Sequence, residues 1–372
     1  MLLSRGRSHR TTTDAELIRW GADFVRVEGA VQRTDRGRVD VHGAVTASPG
    51  SGSAAAPIAG PSPSASGETI AAGPASPGAA TLEFALAAGG RKKIAVNGVP
   101  RRPAALAEHL RIVLFAPEEM LLVIGPPGLR RSALDDLVEP QDPRYAADMA
   151  TYTRALQQRN SLLRLIREEQ ASRDQLRLWD EPFLAAGAGI VAARRRVLAA
   201  LAQPLADAHR EIAPGEGRLE VAYSTNAQPL PGESPRDTLA RRLAETADKE
   251  AWNGSTLIGP HRDDLVFSLD GRDLATFASR GQQRTAILAF KLAELDLLTA
   301  HDGRPPLLLL DDVFSELDPE RRGHLVRRIA GLPQALVTTT HLDDIDPELR
   351  RHARSWRVSA GTDGSATVVE AV

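Results

Sequence analysis

Two adjacent carboxylates, Asp311 and Asp312, follow a run of four leucines at 307–310. An apolar run of this length, bounded by Pro-Pro and Asp-Asp, is typical of a buried parallel strand. In open α/β sheets, ligands lie beyond the carboxyl ends of the strands. A carboxylate there is able to hold Mg²⁺ beside nucleotide phosphates, and a second is able to orient or deprotonate a water. Alone, the pattern fits a strand end with two solvated acids equally well.

A second chemical pattern, Ser-Arg-Gly-Gln at 279–282, stands directly before a helical stretch at 285–298. The free N–H groups and the dipole at a helix start favour an anion. Gly281 permits close backbone approach, and the hydroxyl of Ser279 is able to donate to a phosphate oxygen. A Ser-Gly turn is also common as a plain helix cap. Followed by the strand, the two acids and Ser-Glu-Leu-Asp at 315–318, it indicates a phosphate site.

Three segments are expected to position these residues: 1–124, which is rich in strands, 125–250, which is helical, and 251–372. Within the first, 46–80 is almost entirely Ala, Ser, Pro and Gly, and we expect a disordered inserted loop because such a stretch buries little side chain. Asn97-Gly98 predicts a tight hairpin turn.

Helical periodicity runs from 145 to 212. Pro182 and the glycines at 187 and 189 are expected to break it, giving two long helices in an antiparallel pair. The many arginines in this stretch have two interpretations. They form either a DNA-facing stripe or an ordinary solvated face interspersed with Glu and Asp.

Composition limits the classes of protein. The net charge is −2, so a nucleic-acid surface has to be a local patch rather than a global field. There is no cysteine, and no run of 18 apolar residues occurs, so neither disulfides nor a transmembrane helix is expected. A cytoplasmic location with no membrane contact is the resulting expectation.

The order of these motifs resembles that of ABC-type ATPases: signature loop, Walker B strand, then D-loop. More narrowly, Gly-Pro-His-Arg-Asp-Asp-Leu at 259–265 and Ser-Arg-Gly-Gln at 279–282 resemble the bacterial RecF family. The stretch 311–318 is similar to the Walker B and D-loop of that family, and 122–135 resembles a second RecF motif. The resemblance implies an α/β fold: an ABC-type ATPase head with a mixed sheet and an inserted α-helical lobe.

The resemblance also implies ATP and Mg²⁺ as cofactors and gives roles to named residues. It assigns ATP contacts to Ser279, Gly281, Gln282 and Asp318, Mg²⁺ to Asp311, the attacking water to Asp312 and γ-phosphate sensing to His341. It assigns a lobe contact or a DNA surface to Glu118, Arg130, Arg131, His261 and Arg262. For Arg130 and Arg131, pairing with Asp135 and Asp136 on the same helix is an equally good interpretation.

Implied partners are single-stranded DNA and gapped or linear double-stranded DNA. The family relationship further implies an ATP-dependent homodimer that acts with RecR and RecO to load RecA and supports SOS induction.

No Gly-x-x-x-x-Gly-Lys-[Ser/Thr] loop occurs in the sequence, and none of the four lysines follows a glycine. The amides and the lysine of that loop hold the nucleotide phosphates. We therefore expect the N-terminal strand and P-loop of the head to be missing, and this chain to bind ATP poorly and to be inactive alone. Two alternatives stay open: a truncated, ATPase-inactive fragment that binds DNA or a partner, and, less well supported, a transporter ATPase subunit.

Overall fold

The computed structural model describes residues 1–8, 13–19, 21–33, 39–49, 79–360 and 366–371. These residues form two compact units: unit 1 comprises 1–118 and 304–372, and unit 2 comprises 119–303. No helix among the described residues combines the length and the apolar character needed to cross a bilayer.

The described residues form eleven α-helices and thirteen β-strands. The helices are α1 (Leu2–Arg5), α2 (Ala104–Ala107), α3 (Leu121–Ile124), α4 (Pro127–Val138), α5 (Tyr145–Arg167), α6 (Arg177–Ile212), α7 (Pro235–Asn253), α8 (Leu274–Phe277), α9 (Arg280–Asp302), α10 (Pro319–Ala330) and α11 (Pro347–His352). The strands are β1 (Ala22–Arg33), β2 (Val39–Pro49), β3 (Ala80–Ala87), β4 (Lys92–Val96), β5 (Val99–Pro100), β6 (Ile112–Phe115), β7 (Leu219–Ser224), β8 (Asp264–Leu269), β9 (Arg272–Asp273), β10 (Leu307–Asp311), β11 (Ala335–Thr338), β12 (Ser355–Ala360) and β13 (Ala366–Ala371).

Unit 1 holds an antiparallel sheet in the order β2-β1-β3-β4-β5 and a parallel sheet in the order β11-β10-β6. Side chains from both sheets share one core, in which Phe84 and Leu82 are fully buried and Ile112 and Leu307 are nearly so. The predicted tight turn is confirmed, because Asn97 and Gly98 both have positive φ and join β4 to β5.

The predicted buried strand is confirmed as β10, which lies between β6 and β11 with parallel pairing on both sides. Leu308 and Leu310 are buried, and all four residues of β6 are buried. Side chains on a strand that is covered on both faces do not alternate between apolar and polar, because neither face meets water. This explains the unbroken leucine run.

The predicted loop at 46–80 is wrong at its edges. Residues 46–49 belong to β2 and pair with β1, and β3 already begins at Ala80. Ladder pairing with β1 places this backbone in the sheet. Residues 50–78 lie outside the described residues.

Unit 2 contains the helices α3 to α9 and a small sheet in the order β7-β8-β9. The expected break at Pro182 and the two glycines is wrong: α6 runs uninterrupted through all of them, and the chain reverses instead between Arg167 and Arg177. Pro182 is the sixth residue of α6 and therefore removes one backbone hydrogen bond of the helix without ending it. A Cβ on Gly187 would lie 3.1 Å from the ring of Tyr152, so the glycine allows α5 to pack closely.

The antiparallel pairing of α5 and α6 agrees with expectation, since Arg159 in the second half of α5 contacts Asp180 near the start of α6, and Tyr145 at the start of α5 contacts Arg194 in the middle of α6. The predicted three-segment division differs from the observed units at 251–303. That stretch groups with the helices because β8 pairs with β7 and α9 packs against α6.

Candidate functional site

The carboxyl edge of the parallel sheet in unit 1 carries the two adjacent acids. Asp311 is the last residue of β10 and pairs in register with Thr338, the last residue of β11. The hydroxyl of Thr338 donates a short hydrogen bond to one carboxylate oxygen of Asp311. This bond fixes the side chain of Asp311 at the strand end, where a ligand of an open α/β sheet binds.

Asp312 combines an unusual backbone conformation with a buried, unpaired side-chain oxygen. Its φ is +50°, which is uncommon for a residue other than glycine, and its N–H donates to the carbonyl of Thr338 at 3.2 Å. Its Oδ1 is buried and has no hydrogen-bond partner among the described residues. A buried carboxylate oxygen without a donor is costly, so this atom is suited to accept a hydrogen bond from a water or to bind a cation.

Two further predicted residues lie on the segments that follow β10 and β11. Asp318 begins α10: its Oδ1 accepts from the N–H groups of Glu320 and Arg321 at 3.1 and 3.0 Å. His341 is exposed and its Nδ1 lies 3.0 Å from the hydroxyl of Thr340. Strand β11 ends at Thr338, three residues before this histidine.

The Ser-Arg-Gly-Gln pattern forms the start of α9 in unit 2. The hydroxyl of Ser279 accepts from the N–H of Gln282 at 3.2 Å, and the Gln282 side chain accepts from the N–H of Ser279 at 3.0 Å. This reciprocal capping box holds the turn while leaving the proton of the Ser279 hydroxyl available to a ligand. Gly281 lies in the first turn, and the helix is almost entirely buried from Thr285 onward. The start of α9 therefore has the geometry that both predictions require, the one for a plain helix cap and the one for a phosphate site.

Glu118 is exposed in the short 3₁₀ turn after β6. Its neighbour Glu119 accepts from Lys291 of α9 at 2.7 Å, and Lys291 also contacts Glu294 at 3.2 Å. The acidic residue of this turn that forms an ion pair with α9 is thus Glu119, which the sequence patterns did not indicate.

Arg130 and Arg131 do not make the expected contacts with their own helix. Arg130 binds Asp264 through two parallel hydrogen bonds of 2.7 and 2.8 Å, and its remaining nitrogen donates to the carbonyl of Gly125 at 2.8 Å. Arg131 donates to the carbonyl of Asp263 at 2.9 Å. The two RecF-like motifs, at 122–135 and 259–265, therefore bind each other inside unit 2.

His261 is also part of this internal network. Its Nδ1 lies 2.6 Å from the hydroxyl of Tyr152, and its Nε2 lies 3.3 Å from the carbonyl of Thr256. Burial, aided by neighbouring arginines, lowers the pKa of His261 from 6.5 to about 4. Arg262 donates to the same carbonyl of Thr256 at 3.2 Å. A neutral, fully engaged imidazole supports a positioning role for this motif.

The structure thus brings Asp311, Asp312, Asp318 and His341 onto unit 1, and Ser279, Gly281 and Gln282 onto unit 2. Sequence reasoning missed Thr338, because its role depends on its register with Asp311. It also missed Tyr152, which lies more than a hundred residues from its histidine partner.

The acids of unit 1 fit a magnesium–nucleotide ligand. Mg²⁺ binds through one or two carboxylates together with substrate phosphates and waters, so it needs no larger protein cluster. No group of three or more metal-binding side chains occurs among the described residues. The unpartnered Oδ1 of Asp312 and the fixed carboxylate of Asp311 provide the required oxygens.

No protein-family model matches the chain, but the curated proteins that it resembles share one name. The chain is 34% identical over 369 residues to the DNA replication and repair protein RecF of Geobacillus thermodenitrificans, covering 97% of this chain and 87% of the relative. It is 33% identical over 367 residues to RecF of Bacillus subtilis, with the same coverage. It is 40% identical over 282 residues to RecF of Chloroflexus aggregans, covering 73% of this chain and 72% of the relative.

Solved structures agree. A structure of the recombination mediator protein RecF described as RecF-ATP, in the RecFOR pathway, superposes with a TM-score of 0.72 at 29% identity, covering 92% of this chain and 81% of that chain. A second, described as RecF-ATPrS, has the same TM-score at 28% identity and covers 93% and 82%. The predicted fold class, an α/β ABC-type ATPase head, is confirmed by this match. The chain therefore belongs to the RecF family of DNA replication and repair proteins.

Proposed function

We propose that this chain acts in recombinational DNA repair as an ATP-dependent clamp on DNA. Two copies associate when ATP is bound, prefer single-stranded or gapped DNA, and separate after slow hydrolysis. RecO and RecR act with the chain to load RecA, and the assembly supports SOS induction. The relatives' names, which refer to DNA repair, ATP and the RecFOR pathway, support this proposal.

The observation that supports hydrolysis most directly is the unpartnered Oδ1 of Asp312 at the end of β10. In the proposed mechanism Asp311 would hold Mg²⁺, which when bound would supply positive charge to stabilise the phosphates. Asp312 accepts a proton from, or orients, the attacking water. His341 contacts the γ-phosphate after β11.

The remaining contacts come from α9 of the other copy. Ser279 donates its hydroxyl proton to nucleotide held by the partner copy, and Gly281 admits the phosphate close to the backbone. Gln282 keeps the turn in place through the capping box, and Asp318 sets the position of α10 beside the nucleotide.

The test is a fluorescent-nucleotide titration with Mg²⁺ on this chain and on a version carrying a glycine-rich Lys-Ser or Lys-Thr loop ahead of Met1. We expect binding only by the version with the loop, and loss of turnover in its Asp311→Asn variant. Tight Mg²⁺-dependent binding by this chain alone would contradict the need for the loop.

A non-catalytic DNA- or partner-binding function is the second candidate, favoured by the absence of a Gly-Lys loop from the sequence. Fluorescence anisotropy with single-stranded and gapped DNA separates the two candidates. Binding of DNA by both versions, with nucleotide binding by neither, would favour the second candidate. Affinity should fall steeply with salt in either case.

A further inference from the structure

Unit 2 contains a cavity of about 280 Å³ that the proposed ATP chemistry does not use. Three helices and the turn before β8 form its walls. Its lining residues are Gly128, Arg131, Ser132 and Asp135 of α4, Met149, Tyr152, Thr153 and Leu156 of α5, Arg194 of α6, and Pro260 and His261.

Most polar groups in the cavity already have partners. Arg194 binds Asp135 at 2.8 Å and donates to the carbonyl of Pro260 at 2.8 Å, so these two charges balance each other. Tyr152 and His261 bind each other. Because burial lowers the pKa of His261 to about 4, its ring adds no charge at neutral pH.

Arg131 is the exception. Its only hydrogen bond among the described residues runs from Nη1 to the carbonyl of Asp263, which leaves the edge formed by Nε and Nη2 unbonded. It has no carboxylate partner there, unlike Arg130, which Asp264 binds, and Arg194. That free edge of a half-buried guanidinium is the geometry that binds a carboxylate or phosphate through two parallel bonds.

The rest of the lining limits which oxyanion fits. Asp135 lies in the same cavity, so a doubly charged phosphate would meet one unpaired cation and one carboxylate. Met149, Leu156 and Pro260 form an apolar wall. The volume exceeds the roughly 150 Å³ that holds a benzene-sized group. A singly charged anion attached to an aliphatic side chain matches both the one unpaired positive charge, that of Arg131, and the apolar wall.

We propose that this cavity binds a peptide carboxylate carried beside an aliphatic side chain, as at the C-terminus of a partner polypeptide. Arg131 binds the carboxylate through Nε and Nη2, and the side chain packs on Met149 and Leu156. The site is separate from the ATP chemistry and needs neither nucleotide nor DNA.

The three methionines of the chain provide the probe. Met149 lines the cavity, whereas Met1 and Met120 do not and serve as internal controls. With ¹³C-methyl methionine, the resonances are followed by NMR during titration with N-acetyl-leucine. We expect a saturable shift of Met149 alone, and at least roughly tenfold weaker binding of N-acetyl-leucinamide, which lacks the charge.

Arg131→Leu is expected to abolish the shift, while the matched control Arg154→Leu, on the exposed side of α5, leaves it unchanged. If Arg131→Leu unfolds, Arg131→Lys keeps the charge but loses the two-bond geometry, and binding should weaken by about tenfold. Equal binding of the leucinamide, or no shift of Met149 in the folded parent, overturns the proposal. A shift produced by inorganic phosphate and not by N-acetyl-leucine makes the cavity a phosphate site and also overturns it. None of these results changes the outcome expected of the nucleotide titrations, so failure of this proposal is distinguishable from failure of the proposed function.

Discussion

Replacing Gly259 by alanine should destabilise unit 2 strongly. Gly259 has a φ of +125°, which side chains rarely adopt, and an added Cβ would lie 2.3 Å from the hydroxyl oxygen of Tyr152. The same Cβ would lie 3.1 Å from Phe183, whose ring stacks on Tyr152 with centroids 4.9 Å apart. Tyr152 therefore has little freedom to move away, and its bond to His261 is lost.

The size of the effect has two parts. The disfavoured backbone conformation costs roughly 1–3 kcal/mol. Loss of the buried hydrogen bond between Tyr152 and His261 costs roughly another 1–3 kcal/mol. We expect the free energy of unfolding to fall by about 3–5 kcal/mol in the Gly259→Ala variant.

The assay is urea unfolding followed by tryptophan fluorescence, since Trp179 and Trp252 both lie in unit 2. The control is Gly128→Ala, whose added Cβ would meet nothing nearer than 3.8 Å and should cost almost nothing. Tyr152→Phe removes the clashing hydroxyl, so adding Gly259→Ala to it should cost at least ~1 kcal/mol less than in the parent. A loss below ~0.5 kcal/mol, or strict additivity of the two changes, would refute the reasoning.

Four further predictions follow from single residues. In a version with the glycine-rich loop, Asp312→Asn should lower ATP turnover by roughly 10²–10⁴-fold, measured as phosphate release, and unchanged turnover excludes its role. Ser279→Ala should cost about 1 kcal/mol of helix capping and speed amide exchange at 280–283, with Ser279→Thr as the control. Arg130→Gln, which leaves Asp264 half-buried without its two bonds, should lower the free energy of unfolding by about 2–4 kcal/mol, and a stability equal to the parent's contradicts the contact. Burial lowers the pKa of His261 from 6.5 to about 4, so the stability that its neutral ring contributes is complete above pH 6.5 and is lost as the pH falls towards 4. The free energy of unfolding should therefore fall by roughly 2–3 kcal/mol more in the parent than in His261→Asn over this range. Parallel pH profiles of unfolding for the two proteins would sink this prediction.

The local parts of the fold were predictable from sequence. The leucine run before Asp311 indicated β10, and Asn97-Gly98 indicated the hairpin turn between β4 and β5, since both signals act over a few residues. The capping pattern at Ser279 likewise depends only on neighbours three residues apart.

The errors came from contacts distant in sequence. Pro182 and Gly187 looked like helix breakers, yet packing of α6 against α5 overrides their low helix propensity. Arg130 had two acids within helical reach but binds Asp264, 134 residues away. Nothing in a single sequence ranks such a distant partner above a near one.

The division of the chain into units also bears on its synthesis. Unit 2 is continuous, whereas unit 1 is completed only by 304–372, so the inserted unit has all its residues first. Strand β6 has to wait for β10, its partner nearly two hundred residues later, before the parallel sheet forms. At roughly 5–20 residues per second, the final stretch emerges within about 3–14 s after unit 2 is complete. During translation, therefore, the apolar residues of β6 stay without this partner strand until β10 has been made, and exposed apolar strands of this kind favour aggregation.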